Sequence, residues 1–475
     1  MATVFDPLRT AAAYVDALAV TQGGAAAWRE RRRVRLAALL RHTAAHSPLY
    51  RRHWAGALAG KGAAACALPE LPPVRRAELM RHFDQWVTDP QLTLEGLRRF
   101  TRERARIGTR YLGRCIVWES SGSSGEPAVF VQDGEALAVN DALQCARGPV
   151  ASGLPSWLVP SWTLFGPALP RLAFVGAVDG HFASVVSLAR LAQVNPWLQG
   201  ALRTFSFLQP LAELVAALND WRPSLLSTYP SMAWVLAEER AAGRLRIAPR
   251  EVWTGGETLT PALRRALAQR FGVAVRDTYG ASECLEIASE CRCGALHLHA
   301  DWVILEPVDA CLRPVPEGEA GAAALLTNLA NRLQPIVRYV LGDRVRYLPG
   351  ACDCGSALPR IEVQGRDDEL LSLRGRGGRP LHLAPLALVT VLEEGAGVFD
   401  FELCQTGPAA LRLTLFGAPA DAARAAGTVL RRWLRLQGVD RLRLECHAHP
   451  DSGRRGRSGK RRRVRALGAA PAASV

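Results

Sequence analysis

The chain has 475 residues, a formal net charge of +15, and 49% hydrophobic against 22% charged residues. That length exceeds one ordinary core and the balance excludes wholesale disorder, so two or more globular domains are expected. The charge admits a nucleic-acid partner, but the arginines are scattered apart from clusters at Arg29–Arg35 and Arg454–Arg465, and no base-stacking aromatic series accompanies them.

The start, Met1-Ala2-Thr3-Val4-Phe5-Asp6-Pro7, lacks a basic stretch followed by an apolar core, so a secretory signal is not expected. The most apolar stretch, Ser156 to Val178, is interrupted by Pro160, Pro167, Pro170 and Arg171, which argues against a membrane span. The expectation is a cytoplasmic chain whose eleven cysteines are thiols or metal ligands.

In chain order, helical spacing of Leu36, Leu39 and Leu40 and the run from His42 to Tyr50 predicts two helices between Ala25 and Trp54. Pro69, Pro72 and Pro73 mark a linker, and a further helical stretch lies near Arg75–Phe83. From about 110 to 345, β-rich runs alternate with Ala/Leu/Arg helical runs. The predicted strands are Cys115–Glu119, Leu172–Val178, Leu225–Thr228, Glu251–Thr254 and Val273–Thr278. The predicted helices are Leu211–Leu218, Met232–Ala241 and Pro261–Phe271. Such alternation implies an α/β domain. Around Gly365 the chain turns polar, and about a hundred residues of mixed strand and helix signal follow. The reading is an α/β large domain over 1–365, with N-terminal helices in 1–110, and a small α+β domain over 366–475.

Ser120-Ser121-Gly122-Ser123-Ser124-Gly125 follows the first predicted strand. Two glycines let the backbone approach an anion, and serine hydroxyls add donors beside the backbone N–H groups. Alone, the segment reads equally as a flexible linker. Five further segments follow it: Thr254-Gly255-Gly256-Glu257, Asp277-Thr278-Tyr279-Gly280-Ala281-Ser282-Glu283, Arg338-Tyr339-Val340-Leu341-Gly342-Asp343, Gly365-Arg366-Asp367-Asp368-Glu369-Leu370 and Ser458-Gly459-Lys460-Arg461. Six segments in this order, over roughly residues 115 to 465, resemble the adenylate-forming (AMP-binding) superfamily. Ser47-Pro48-Leu49-Tyr50-Arg51 and Pro335-Ile336-Val337-Arg338-Tyr339 are similar to runs of its phenylacetate–CoA ligase branch, which includes aryl-CoA ligases and enzymes that adenylylate a deazaflavin coenzyme.

The resemblance implies a large multi-subdomain adenylation domain, a small mobile C-terminal domain, and activation of a carboxylic acid by ATP. It assigns the β- and γ-phosphates to the Ser120–Gly125 loop, Mg²⁺ to Glu283, and adenine and acyl contacts to Tyr279 and Gly280. Gly256, Glu257, Asp277 and Ser282 fall in its nucleotide-binding segments; Asp343 takes the ribose hydroxyls and Arg366 the nucleotide. Lys460 is its catalytic residue, bridging the carboxylate and the α-phosphate, a contact suited to a compact cation on a flexible stem. Asp368 falls at the hinge about which the small domain swings.

Two Cys-x-Cys-Gly segments, Cys291-Arg292-Cys293-Gly294 and Cys352-Asp353-Cys354-Gly355, lie within 284–355, and His297 and His299 follow the first. Structural zinc takes four nitrogen or sulfur ligands. The resemblance favours Cys291, His297, Cys352 and Cys354, with Cys293 an alternative to His297.

Val175–Phe182 departs from the phenylacetate ligase pattern, so phenylacetate itself is not implied; His181 reads as a structural residue or a substrate contact. The expected partners are a small carboxylic acid and CoA, with a carrier-protein thiol also admitted, no nucleic acid, no membrane, and a homodimer left open. An adenylyltransferase that forms no thioester is the alternative within the fold. A basic nucleic-acid binder is the alternative outside it.

Overall fold

The computed structural model describes residues 6–120, 127–148, 171–364, 371–375, 378–398, 401–439, 441–449 and 464–467 of the 475. The first hundred residues are helical, with long helices at Pro7–Gln22 and Gly24–His46 and short ones at Pro48–His53, Arg76–Arg81, Phe83–Trp86 and Leu94–Thr101. Asp6 caps the first of these by accepting from Leu8 N and Arg9 N, ahead of Pro7 at a position where a missing N–H costs nothing.

Strands Cys115–Glu119 (β1) and Val129–Asp133 (β2) form an antiparallel pair. Leu172–Gly176 (β3), Leu202–Ser206 (β4), Leu225–Thr228 (β5), Glu251–Gly255 (β6) and Ala274–Ala281 (β7) are parallel neighbours in the order β4-β3-β5-β6-β7. Helices cross between them, which explains why β3 is buried along its whole length. The crossover helix Pro261–Phe271 is typical: Thr260 accepts from Leu263 N at its start, and Gly272 ends it in the left-handed region at φ 71°. Cys284–Glu290 (β8), Leu296–Leu298 (β9), Arg344–Leu348 (β13) and Arg360–Gln364 (β14) extend the same sheet antiparallel, giving nine strands among the described residues. Val303–Val308 (β10), Ala323–Asn328 (β11) and Ile336–Leu341 (β12) form a separate antiparallel sheet.

The N-terminal helices seal the edge of that smaller sheet. Val74 N donates to Arg338 O at 3.1 Å, and Val340 N donates to Val74 O at 2.9 Å. Tyr50 Oη donates to Pro335 O at 3.3 Å and accepts from Val337 N at 3.1 Å, while Trp86 Nε1 donates to Pro335 O at 2.6 Å. Arg338, at a left-handed φ of 48°, sends its guanidinium to Glu306, Pro69 O and Leu71 O. The two runs that pointed to the phenylacetate ligase branch therefore touch each other.

Beyond residue 370, Leu371–Arg374 (β15) and Pro380–Leu383 (β16) pair, and Phe401–Gly407 (β17), Ala410–Phe416 (β18), Arg443–His449 (β19) and Val464–Arg465 (β20) form a mixed sheet in the order β19-β18-β17-β20. Helices Pro385–Ala396 and Ala420–Leu436 pack on it. Trp433 Nε1 donates to Leu208 O at 2.9 Å, and Gln437 Nε2 reaches the same oxygen at 3.2 Å. The architecture is α/β with a C-terminal α+β unit, as the sequence implied. No helix among the described residues is long and apolar enough to cross a membrane.

Candidate active site and metal centre

The parallel strands β3, β5, β6 and β7 deliver Gly176, Thr228, Gly255 and Thr278 to one edge of the sheet. Ligands bind at this carboxyl edge of open α/β sheets, where loops diverge and leave a crevice. Gly256 holds φ +78°, and a Cβ there would stand 3.2 Å from the Tyr229 ring. Gly280 interrupts the β7–β8 register, and a Cβ on it would meet Leu285 O at 2.1 Å. Only glycine permits that fold-back.

Glu283, in the turn after Gly280, and Asp343, between β12 and β13, each meet a tyrosine. Tyr279 Oη donates to Asp343 Oδ2 at 3.0 Å, and Tyr339 Oη donates to Glu283 Oε1 at 2.6 Å. Burial, foremost, and these carboxylates push both phenols well above their ordinary range. Asn328 Nδ2 holds Glu283 O at 3.2 Å, and Trp118 Nε1 holds Ser282 O at 2.9 Å, so β1 is tied to the same turn. Ser120 N donates to Ala128 O at 2.9 Å, and Ala128 N to Ser120 Oγ at 3.3 Å, which closes the base of the serine-rich loop.

Two predicted nucleotide residues have hydrogen-bond partners within the protein. Asp277 is buried within β7, where Thr254 Oγ1 donates to it at 2.7 Å; burial pushes its carboxyl up to about 7. Glu257 accepts from Ser231 N and Ser231 Oγ, each at 3.0 Å, at the start of helix Pro230–Ala241. His181 is buried, its Nε2 3.1 Å from Glu103 O. Ser121, Gly122, Ser123, Ser124, Gly125, Arg366, Asp368 and Lys460 lie outside the described residues. Tyr339 and Asn328 were not read as site residues in the sequence. Tyr339 carries a signal, since it lies in the run that ends at Asp343; Asn328 carries none.

At the far edge of the large sheet, the ligand atoms of Cys291, His297, Cys352 and Cys354 all lie within 4.8 Å of one another. Cys291 Sγ is 3.8 Å from Cys352 Sγ, and Cys354 Sγ is 3.4 Å from His297 Nε2. His297 Nδ1 lies 2.9 Å from Leu358 O, which fixes the ring and leaves Nε2 facing the sulfurs. Gly294 and Gly355 end the two turns at φ +79° and +83°. Cys293 is exposed and outside the cluster. His299 points elsewhere, 3.2 Å from Ser289 Oγ, and burial lowers its imidazole to about 3. Three sulfurs and one nitrogen in a closed arrangement suit a structural zinc ion.

No family model matches the chain. It is 33% identical over 187 residues to the phenylacetate-coenzyme A ligase of Thermus thermophilus, covering 37% of this chain and 41% of that protein. To the phenylacetate-coenzyme A ligase of Pseudomonas putida it is 31% identical over 176 residues, covering 34% and 38%. The matched stretch thus spans about two fifths of these relatives' own length. Among solved structures, 2-hydroxyisobutyryl-CoA ligase in complex with 2-HIB-AMP and CoA in the thioesterification state superposes with a TM-score of 0.57 at 20% identity, covering 92% of this chain and 89% of that one. Its open conformation gives 0.51 at 20% identity, over 91% and 90%. The chain accordingly has the fold of an adenylate-forming CoA ligase, and its resemblance to the phenylacetate–CoA ligase branch is borne out over the stretch that aligns.

Proposed function

We propose that this chain is an acid–thiol ligase: it activates a carboxylic acid with ATP as an acyl-adenylate, releases pyrophosphate, and transfers the acyl group to the thiol of CoA. The observation that carries the reading is the convergence of Tyr279, Glu283, Tyr339 and Asp343 at the carboxyl edge of the parallel strands. It is supported by similarity to phenylacetate-coenzyme A ligases and by a fold shared with a ligase whose structure holds an acyl-AMP and CoA.

In this reading Asp343 accepts the ribose hydroxyls, a charge-assisted pairing, and Tyr279 holds that carboxylate in place. Glu283, held by Tyr339, takes Mg²⁺, whose chemistry is to neutralise the phosphate oxygens and the leaving pyrophosphate. The serine-rich loop cradles that pyrophosphate, and Lys460 bridges the two anions that must meet. Residues 1–365 form the adenylation domain and 366–475 the small domain, which turns about Asp368 between the two half-reactions. Cys291, His297, Cys352 and Cys354 hold zinc, which stabilises the strand edge rather than taking part in the chemistry. The chain works in the cytoplasm.

The test is pyrophosphate release across a panel of carboxylic acids, with and without CoA. Acid-dependent release and a CoA thioester product are expected. Adenylation with no thioester would favour the adenylyltransferase, and no release with any acid would overturn the reading.

A further inference from the structure

The unit beyond residue 370 is fastened to the large one by side chains of its second helix. Trp433 and Gln437 stand about one turn apart, on and just beyond helix Ala420–Leu436, so both face the same way. Trp433 Nε1 donates to Leu208 O at 2.9 Å, and Gln437 Nε2 donates to Leu208 O at 3.2 Å and to Gln209 O at 3.1 Å. In return, Leu211 N donates to Gln437 Oε1 at 3.2 Å. On the large unit each of these partners is a main-chain atom of the segment that leaves β4, the edge strand of the nine-stranded sheet. Beside the bonds lies a cavity of about 20 Å³, lined by Gln209 and Met232 from one unit and by Leu383 and Trp433 from the other. The junction combines apolar contact, directional bonds and a gap in its packing, the character of an interface that can part.

A second contact lies on the loop that follows β3. Glu394, near the end of helix Pro385–Ala396, stands so close to Gly180 that a Cβ there would be 2.9 Å from its Oε1. Two residues on, Phe182 bridges Glu119, the residue before the serine-rich loop. In this orientation the small unit thus meets the large one near the base of that loop as well as beyond β4.

We propose that Trp433 and Gln437 form a latch that holds the small domain in one of its two catalytic orientations and so sets the balance between adenylation and acyl transfer. This rests on the ligase reading above, in which the small domain turns between the half-reactions. The two are positioning residues, bonded to main chain beyond β4. Bonds made in one orientation and broken in the other shift the population of the two. Losing them slows the half-reaction that uses the docked orientation and spares or speeds the other.

Two assays on the full chain separate the half-reactions. ATP–pyrophosphate exchange, with an acid that supports pyrophosphate release, reads adenylation; thioester formation from pre-formed acyl-adenylate and CoA reads transfer. Trp433→Phe keeps a ring and drops the donor, and Gln437→Ala drops donor and acceptor. Each should move the ratio of the two rates in the same direction, and the double variant should move it by at least about tenfold. An unchanged ratio, shifts in opposite directions, or equal loss of both rates overturns the proposal and makes the contact a static brace. If the variants at Trp433 fail to fold, Gln437→Ala alone decides by the same ratio. Absence of either half-reaction in the wild type overturns the ligase reading. The latch is then judged by small-angle X-ray scattering, where a larger radius of gyration in Gln437→Ala supports it and an unchanged one overturns it.

Discussion

Tyr279 donates its phenolic hydrogen to Asp343 across 3.0 Å, joining the end of β7 to the residue just beyond β12. A carboxylate held this way is fixed in position beside the strand ends, where a ribose can meet it. Asp343→Ala should therefore weaken ATP itself. The ribose is present in ground state and transition state alike, so the loss should appear as a KM for ATP raised by roughly tenfold or more, with a smaller change in kcat. An unchanged KM in steady-state kinetics would remove the ribose assignment.

Lys460→Ala should behave in the opposite way. A charge contact made mainly in the transition state costs about 10²- to 10³-fold in rate when removed. Pyrophosphate release should fall by that factor with ATP affinity retained, and thioester formation from pre-formed acyl-adenylate should suffer less. Asp368→Pro, which stiffens the backbone, should spare adenylation and depress transfer to the thiol. Equal loss of both half-reactions would mean that the hinge lies elsewhere.

Protein purified without chelator should carry about one zinc per chain. Cys352→Ser with Cys354→Ser should lose the metal and lower the melting temperature. Cys293→Ser should retain both, because Cys293 is exposed and outside the cluster. Metal analysis of the three proteins checks this, and loss of zinc in Cys293→Ser would contradict the ligand set drawn here.

Asp301 is completely buried and accepts from Arg147 Nη1 at 2.6 Å, Arg147 Nη2 at 3.1 Å and Arg35 Nη1 at 3.1 Å. Burial alone would raise its carboxyl, but the two guanidiniums, Arg147 foremost, hold it below the ordinary range. A depressed acid contributes stability that is fully present above its unfolded pKa, near 3.9, and is lost as pH falls through the folded value. Asp301→Asn should cost about 3–5 kcal/mol at neutral pH, since it leaves two buried cations short of a partner. Urea denaturation should show that deficit shrinking below about pH 4. A pH-independent deficit would assign the loss to packing.

The regular elements were the legible part. Cys115–Glu119, Leu225–Thr228 and Pro261–Phe271 were read from the sequence with the bounds they have in the structure, because apolar runs and a Thr-Pro…Gly frame are local signals. The helix Pro7–Gln22 was not read: its alanines blur any apolar face, and it is held by packing against other helices. At the metal cluster the spacing left Cys293 and His297 as alternatives. The choice depends on β9 pairing with β14 to turn His297 inward while Cys293 stays in the turn, a pairing between residues far apart in sequence. The protein partners of Glu257 and Asp277, Ser231 and Thr254, sit on other elements that no local pattern announces.

The bonds from Tyr50 to Pro335 and Val337 span 285 and 287 positions of chain. At about 5–20 residues per second, a ribosome would need on the order of 15–60 s to deliver the second partner after the first. For that interval Tyr50 and Trp86, both buried in the finished protein, lack the Pro335–Val337 segment they bond to. The opening third of the molecule thus cannot mature on its own during synthesis, and the nascent chain presents an aromatic surface of the kind chaperones hold until the later sheet emerges.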